Sequence, residues 1–394
     1  SPLFNGNSEY YADFKSKLDG RNLISQTYDE KKWQRAATAA REAIDAATAA
    51  GYALYTDPSV SKSKFEMPSD DVQRVLRLNF IDYNNSKEVL WADTRKEMNY
   101  GLQYKSTPYR VGPSSGNGVG VTLSMVEQFF TENGLPIDID PNYDYEGRYR
   151  TAEYHKDVCD GVTMNLNIGR EPRFYAWVAF QNGYYEVMKR NSEDPEAKVV
   201  KTQFRKNDVF GIKARTTNYS PTGYLNKKGC SPLYDNLQEN VPAPHYPWPV
   251  IRMAELYLNL AEAEANLGNI DSAVEALKPV RTRAGLPSVD AAFATAGLTL
   301  DKAAMIRMAK QERTVELYLE GHRCWDVRRW KEGEKYFNHR PKGMNFEGES
   351  DAEFFRVTEI IVQRKFSTPM NYLMPIPKDD INKNESKFVQ NPGY

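Results

Sequence analysis

The chain has 394 residues, and Lys+Arg 52 against Asp+Glu 53 gives a net charge of −1. At roughly 150 residues per domain this length implies two to three domains and a sizeable core, while the balanced charge gives no footprint for nucleic acid or anionic lipid. No segment approaches the ~18 consecutive apolar residues of a membrane span, and Cys159, Cys230 and Cys324 are too far apart for zinc spacings, a CxxC motif or a disulfide framework.

The chain opens at Ser1, and SPLFNGNSEYYADFK has no signal-peptide apolar region, so it reads as processed or as a fragment. From about Asp29 to Ala50 an Ala-rich run free of Gly and Pro predicts a helix ended by Gly51. Trp33, Ala36, Ala37, Ala40 and Ile44 recur at helical spacing, and so many alanines suit close helix–helix contact.

From roughly 56 to 245 the pattern changes. Short apolar runs (VLRLNFI, EVLWA, RFYAWVAF) are broken by polar and Gly/Pro-rich pieces, which predicts loops, a few short strands and one helix, LSMVEQFFTENG, closed by Gly134. Regular helix returns at 250–333 in four segments. The first carries Met253, Leu256, Tyr257, Leu260 and Ala261 on one stripe and stops at Gly268; Ala273, Val274 and Leu277 are in phase in the second. Tyr257-x₂-Leu260-Ala261, a turn, then Ala273-x₃-Leu277 match a tetratricopeptide hairpin in part, with Glu264 where an aromatic is usual.

Motifs for chemistry are sparse. Gly112–Gly120 (GPSSGNGVG) precedes a helix but lacks GK[ST] and a leading strand, so a flexible surface loop is the better reading. Asp138, Asp140, Asn142, Asp144 and Glu146 alternate like a calcium loop, but Tyr143 and Tyr149 replace the required Gly and Glu. A solvated acidic turn is favoured over another calcium geometry, and no cofactor is expected. There is no HExxH, GxSxG or P-loop, and His155, His245, His322 and His339 stand alone, so catalysis has little support. Glu312, Arg313, Glu316, Glu320, Arg323, Asp326, Arg328 and Arg329, interleaved with Leu317, Trp325 and Trp330, read as ion pairs locking adjacent helices.

Tyrosine is the remaining feature, with 25 against 17 Phe. Many lie in the irregular region, where Tyr offers a rigid apolar face and a hydroxyl at low entropy cost. Such a surface suits sugars, and peptides nearly as well; for any single ring, packing of the irregular region is the better reading. Tyr104, Tyr109, Tyr143, Tyr145 and Tyr149 are the candidate binding residues.

The ordered series SPLFNG (Ser1–Gly6), WQRAATAAREAID (Trp33–Asp45), EVLWADTR (Glu88–Arg95), EPRFYAWVAFQNG (Glu171–Gly183), PTGYLNKK (Pro221–Lys228), RMAELYLNLAEAEANLG (Arg252–Gly268), VRTRAGLP (Val280–Pro287), ERTVELYLEGHRCWDVRRW (Glu312–Trp330) and YLMPIPKDDINKN…QNPGY (Tyr372–Tyr394) resembles the SusD/RagB family. The resemblance implies a mainly α fold: a tetratricopeptide-like helical scaffold with a large, irregular, loop-rich inserted lobe containing short strands. It divides the chain into an incomplete scaffold part at 1–55, a ligand-binding lobe at 56–245, tetratricopeptide-like helices at 246–335 and an extended C-terminal segment at 336–394. It further implies non-catalytic capture of an oligosaccharide at the outer-membrane surface and delivery to a SusC-like TonB-dependent transporter. RagB-like relatives handle peptides, so oligopeptide capture is the alternative, followed by a cryptic glycosidase and a generic protein-interaction scaffold. In the family SPLFNG lies well inside the chain and a lipobox cysteine stands at the mature N-terminus. An N-terminal truncation is therefore expected, with membrane association only through a lipid anchor absent from this chain.

Overall fold

A computed structural model of the protein describes residues 1–57, 59, 67–95, 100–108, 116–187, 199–234, 242–384 and 387–394. The elements used below are α1 (Lys31–Ala49), α2 (Asp71–Leu78), β1 (Val89–Asp93), β2 (Thr151–Lys156), β3 (Cys159–Met164), α3 (Pro172–Trp177), β4 (Trp248–Arg252), α4 (Met253–Leu267), α5 (Ile270–Arg283), α6 (Lys302–Glu316) and α7 (Arg323–Arg329).

The scaffold is built around α4. Helix α1 lays Trp33, Ala37, Ala40 and Ala47 on it, while Ala36 faces solvent. Helices α5 and α6 also pack on α4, so its buried surface is wider than one stripe and takes in Leu258 and Glu262–Ala265. Leu256 and Tyr257 are only half-buried. Ala261 and Ala273 are fully buried, and residues of that size let the α4–α5 pair approach closely. Helix α4 ends at Gly268 with φ +85°, where the Gly268 and Asn269 N–H groups donate to the Ala265 and Glu264 carbonyls; the left-handed backbone there favours glycine. Glu264 is buried, ion-paired with Arg41 of α1 and accepting from Asn269 Nδ2 at 2.7 Å, so it fastens α1 to the turn where an aromatic would have packed.

The lobe departs from the sequence expectation in two places. VLRL and RFYAW, expected among loops and strands, are helical in α2 and α3. Asp70 caps α2 by accepting from the Gln73 N–H at 2.8 Å, and Pro172 occupies the first turn of α3. The helix expected over LSMVEQFFTENG is a single turn, Leu123–Val126. Two neighbouring side chains take the backbone groups a helix would have used. Arg170 donates to the carbonyls of Val126, Phe129 and Phe130, and Glu171 accepts the Phe130 N–H at 2.7 Å.

Among the described residues the strands form five two-stranded antiparallel sheets, of which β2–β3 is a hairpin and β1–β4 joins the start of the lobe to the head of α4. One apolar core runs through both parts, from Trp33 and Ala37 through Leu258 and Leu277 to Phe129, Phe174 and Trp177.

Beneath that core lies a buried charge network. Arg173 bonds Glu171 at 2.5 Å and Glu312 at 2.6 Å, and Arg281 bonds Glu312 at 2.8 Å. Arg252 bonds Glu88, Glu316 and Glu320 at 2.7, 2.8 and 2.7 Å. Arg283 bonds Glu88 at 2.7 Å and also Glu316, and Lys228 bonds Glu320 at 2.6 Å. The charged run on α6 therefore does lock neighbouring elements, and its partners come from the lobe as well as from helices. Five cations (Arg173, Arg252, Arg281, Arg283, Lys228) meet five carboxylates (Glu88, Glu171, Glu312, Glu316, Glu320), so the network is neutral. Neutrality matters, because an unpaired buried charge costs several kcal/mol.

Candidate ligand-binding site

Three of the five candidate tyrosines come together on the segment 140–150. Asp140 anchors it: its carboxylate accepts from Thr131 Oγ1 at 2.6 Å, Asn133 Nδ2 at 2.9 Å and the Asn142 N–H at 2.9 Å. The turn this makes leaves Tyr143 half-buried, its hydroxyl donating to the Asn165 carbonyl at 3.3 Å. Arg148 then organises the next two rings. Its guanidinium lies 3.9 Å from the Tyr145 ring centre and 4.3 Å from that of Tyr149. It is held by Glu127 Oε1 at 3.0 Å and the Tyr145 carbonyl at 2.8 Å.

Tyr149 donates its hydroxyl to the same Glu127 oxygen at 2.6 Å. Burial, reinforced by the Glu127 carboxylate, pushes the Tyr149 phenol well above its ordinary pKa, so it stays a neutral donor. Burial raises Tyr143 too, against the pull of Arg170. Beside the stack is a cleft of about 270 Å³ whose walls include Tyr143, Asn133, Asn142, Asp144 and Asn165. A half-buried ring edged by amides and by the carboxylates of Glu132, Asp140 and Asp144 can receive the C–H face and the hydroxyl rim of a sugar.

Tyr104 sits elsewhere, on the helix Tyr100–Ser106, with its ring so close over Gly116 that a Cβ there would come within 2.9 Å. Tyr109 lies outside the described residues. Of the other lobe tyrosines, Tyr185 and Tyr224 are buried and pack the interior, the role that favoured packing over binding for a single ring. Arg148, Glu127 and Asn165 were not among the candidates; the spacing Tyr145-x₂-Arg148-Tyr149 was the available signal for Arg148, whereas nothing local points to the other two. Trp91 and Trp325, 63% and 56% exposed, are further aromatic side chains open to solvent.

The remaining motifs have structural employment. In the Gly-rich stretch, 112–115 lie outside the described residues, and the N–H groups of Gly116, Asn117, Gly118 and Val119 donate to carbonyls of Tyr104, Lys105 and Thr107. Those donors are taken, and Gly116 and Asn117 are buried rather than on the surface. The acidic groups of 138–146 diverge: Asp138 pairs with Arg307, Asp140 closes its own turn, and Asp144 binds Arg150 at 2.8 Å. Among the described residues no three His, Cys, Asp or Glu gather as a metal cage requires. His155 pairs with Asp160 at 2.6 Å across the β2–β3 hairpin, both side chains being exposed. Burial pushes the Cys159 thiol up to about 12, which keeps it protonated and unreactive.

The helices thus carry a loop-rich region with an aromatic, amide-lined cleft. The model of the SusD family matches residues 87–394, and the chain belongs to that family. The structure named BT4246 is 29% identical with a TM-score of 0.83, over 100% of this chain and 70% of that one. A SusD-like protein (BF3747) from Bacteroides fragilis NCTC 9343 is 23% identical with a TM-score of 0.66, over 93% of this chain and 62% of that one. A SusD-like carbohydrate binding protein (BF0978) from the same strain shares the fold at 18% identity and a TM-score of 0.56, over 91% of this chain and 62% of that one. No curated protein matches the chain. No helix among the described residues is long and apolar enough to cross a membrane.

Proposed function

We infer that this protein binds an oligosaccharide without transforming it and passes it to a SusC-like TonB-dependent transporter at the outer-membrane surface. A lipid anchor, as the family resemblance implies, would hold it there. The observation that carries the binding step is the cleft of about 270 Å³ in which the half-buried Tyr143 ring shares walls with Asn133, Asn142, Asn165 and Asp144, on the segment that also stacks Tyr145 and Tyr149 about Arg148. Stacking supplies affinity there, and the amides select among hydroxyl arrangements.

Calorimetry against a panel of neutral oligosaccharides and mixed oligopeptides tests this. The expected result is saturable binding of at least one oligosaccharide, weakened about tenfold when Tyr143→Ala and Tyr145→Ala are combined. Unchanged affinity in a folded double variant refutes the placement, and binding of peptides alone replaces the glycan with a peptide ligand. Release of reducing ends from any bound glycan would refute the non-catalytic reading.

A further inference from the structure

A second and larger cleft, of about 570 Å³, opens where the lobe meets the scaffold, lined mostly by residues 303–336. Gln128 and Asp138 reach it from the lobe; α6, α7 and the residues that follow supply the rest. Junctions of this kind are a preferred place for ligand sites.

Its charge is distinctive. Arg307, Lys310, Arg323 and Lys335 line it against only Asp138 and Glu332, so four positive groups meet two negative ones, in a chain whose net charge is −1. The carboxylates are already engaged, Asp138 with Arg307 and Glu332 with Lys310 at 2.7 Å. Among the described residues neither Arg323 nor Lys335 is in an ion pair. Both lie against the ring of Tyr336, Arg323 at 4.2 Å and Lys335 at 4.9 Å from its centre. Arg323 also gives one donor to Thr314 Oγ1 at 2.9 Å and lies 5.9 Å from the Trp330 ring centre. Stacking fixes the plane of the guanidinium while leaving further N–H groups free to take a carboxylate in a fork.

We propose that this cleft binds a carboxylate-bearing sugar, with Arg323 and Lys335 clamping the carboxylate. The Thr314 hydroxyl is taken by the Lys310 carbonyl and Arg323, and the Gln311 amide by the Gln128 carbonyl, so the Gln128 side-chain amide is the neutral polar group that suits a sugar hydroxyl. The apolar wall of Ile306, Ala303 and the Trp330 and Tyr336 rings can receive the C–H face of a sugar ring. The site does not depend on the tyrosine cleft, so either can fail alone.

The test is calorimetry of the full chain with a galacturonic acid trisaccharide, a neutral galactose trisaccharide and a triglutamate peptide. Binding of the uronate is expected, weakened at least tenfold by Arg323→Gln or by Lys335→Gln and weakened further by added salt. Arg323→Lys, which keeps the charge and loses the fork, should fall between. Lys335 is exposed, so its variant reads the site even if Arg323→Gln unfolds the chain. Neutral-oligosaccharide binding that depends on Tyr143 should be untouched by these variants. Absent uronate binding, equal binding of the neutral trisaccharide with the same variant losses, or uronate binding that both variants leave intact overturns the proposal. Stronger binding of triglutamate with the same variant losses would assign the cleft to acidic peptides instead.

Discussion

Glu316 has no exposure to solvent, and burial by itself would push its carboxyl up; Arg283, Arg252, Arg173 and Lys228 outweigh that and hold it well below the ordinary range. It is the residue on which the network converges. Glu316→Gln should therefore cost about 3–5 kcal/mol in urea denaturation, because it leaves neighbouring guanidinium groups buried without their counter-charge. A loss below about 1 kcal/mol would mean that the remaining carboxylates absorb the change. That the run from Glu312 to Arg329 is paired could be read from its spacing, since opposite charges recur at helical intervals. Its partners Arg173, Lys228 and Arg252 could not, because they lie far away in sequence and no local rule brings them to α6. The same division holds at the candidate site. Tyr143, Tyr145 and Tyr149 stand out because they crowd one short stretch, whereas Glu127, which ties Arg148 to Tyr149, arrives from an earlier turn.

At the level of elements, α1 and α4–α6 are legible because each carries its own periodicity and stop signal: Gly51 and Gly268 for two of them, and a long run free of breakers for α6. The single turn at Leu123–Val126 is not, because what shortens it is Arg170 and Glu171, whose reach across the fold leaves no mark on the segment itself. Helices α2 and α3 are intermediate. Asp70 and Pro172 are proper start signals, but each is followed by only two turns or less of apolar residues, too few to separate a helix from a buried strand. The alanine face of α1 gives a paired prediction. Ala37→Leu forces extra volume into the contact with α4 and should lower stability by about 1–3 kcal/mol. Ala36→Leu, one position away on the exposed side, should stay within about 0.5 kcal/mol. Thermal melts of the two variants distinguish them, and equal shifts would contradict the packing of α1.

For the molecule as a whole, the continuous core and the network beneath it make lobe and scaffold interdependent. The acid response follows from the carboxylates. Burial pushes Glu320 up, but Arg252 and Lys228 more than offset it and bring it down to about 2, from an ordinary value of 4.5. A carboxylate lowered in the folded state contributes stability that is complete above its unfolded pKa and is lost as pH falls through the folded one. Glu316 acts in the same direction, and Glu171, raised by burial, acts against them. Burial pushes Glu262 up too, but Arg329 outweighs it, so Glu262 joins the lowered side. The melting temperature should therefore fall as pH drops from about 4.5 towards 2, in one transition shared by lobe and scaffold. A flat melting temperature across that window, or two separate transitions, would contradict this.

The neutral network of ten side chains also bears on how such a sequence can change over time. A replacement at Arg252 or Glu316 meets several partners at once, so no single second change restores what the first removed. Stepwise drift through these positions is blocked, while a concerted exchange of the cluster for apolar residues of matching volume is physically permitted. The ten positions should therefore be inherited as a block, kept together or lost together, while the tyrosine-bearing loops above them are free to diversify.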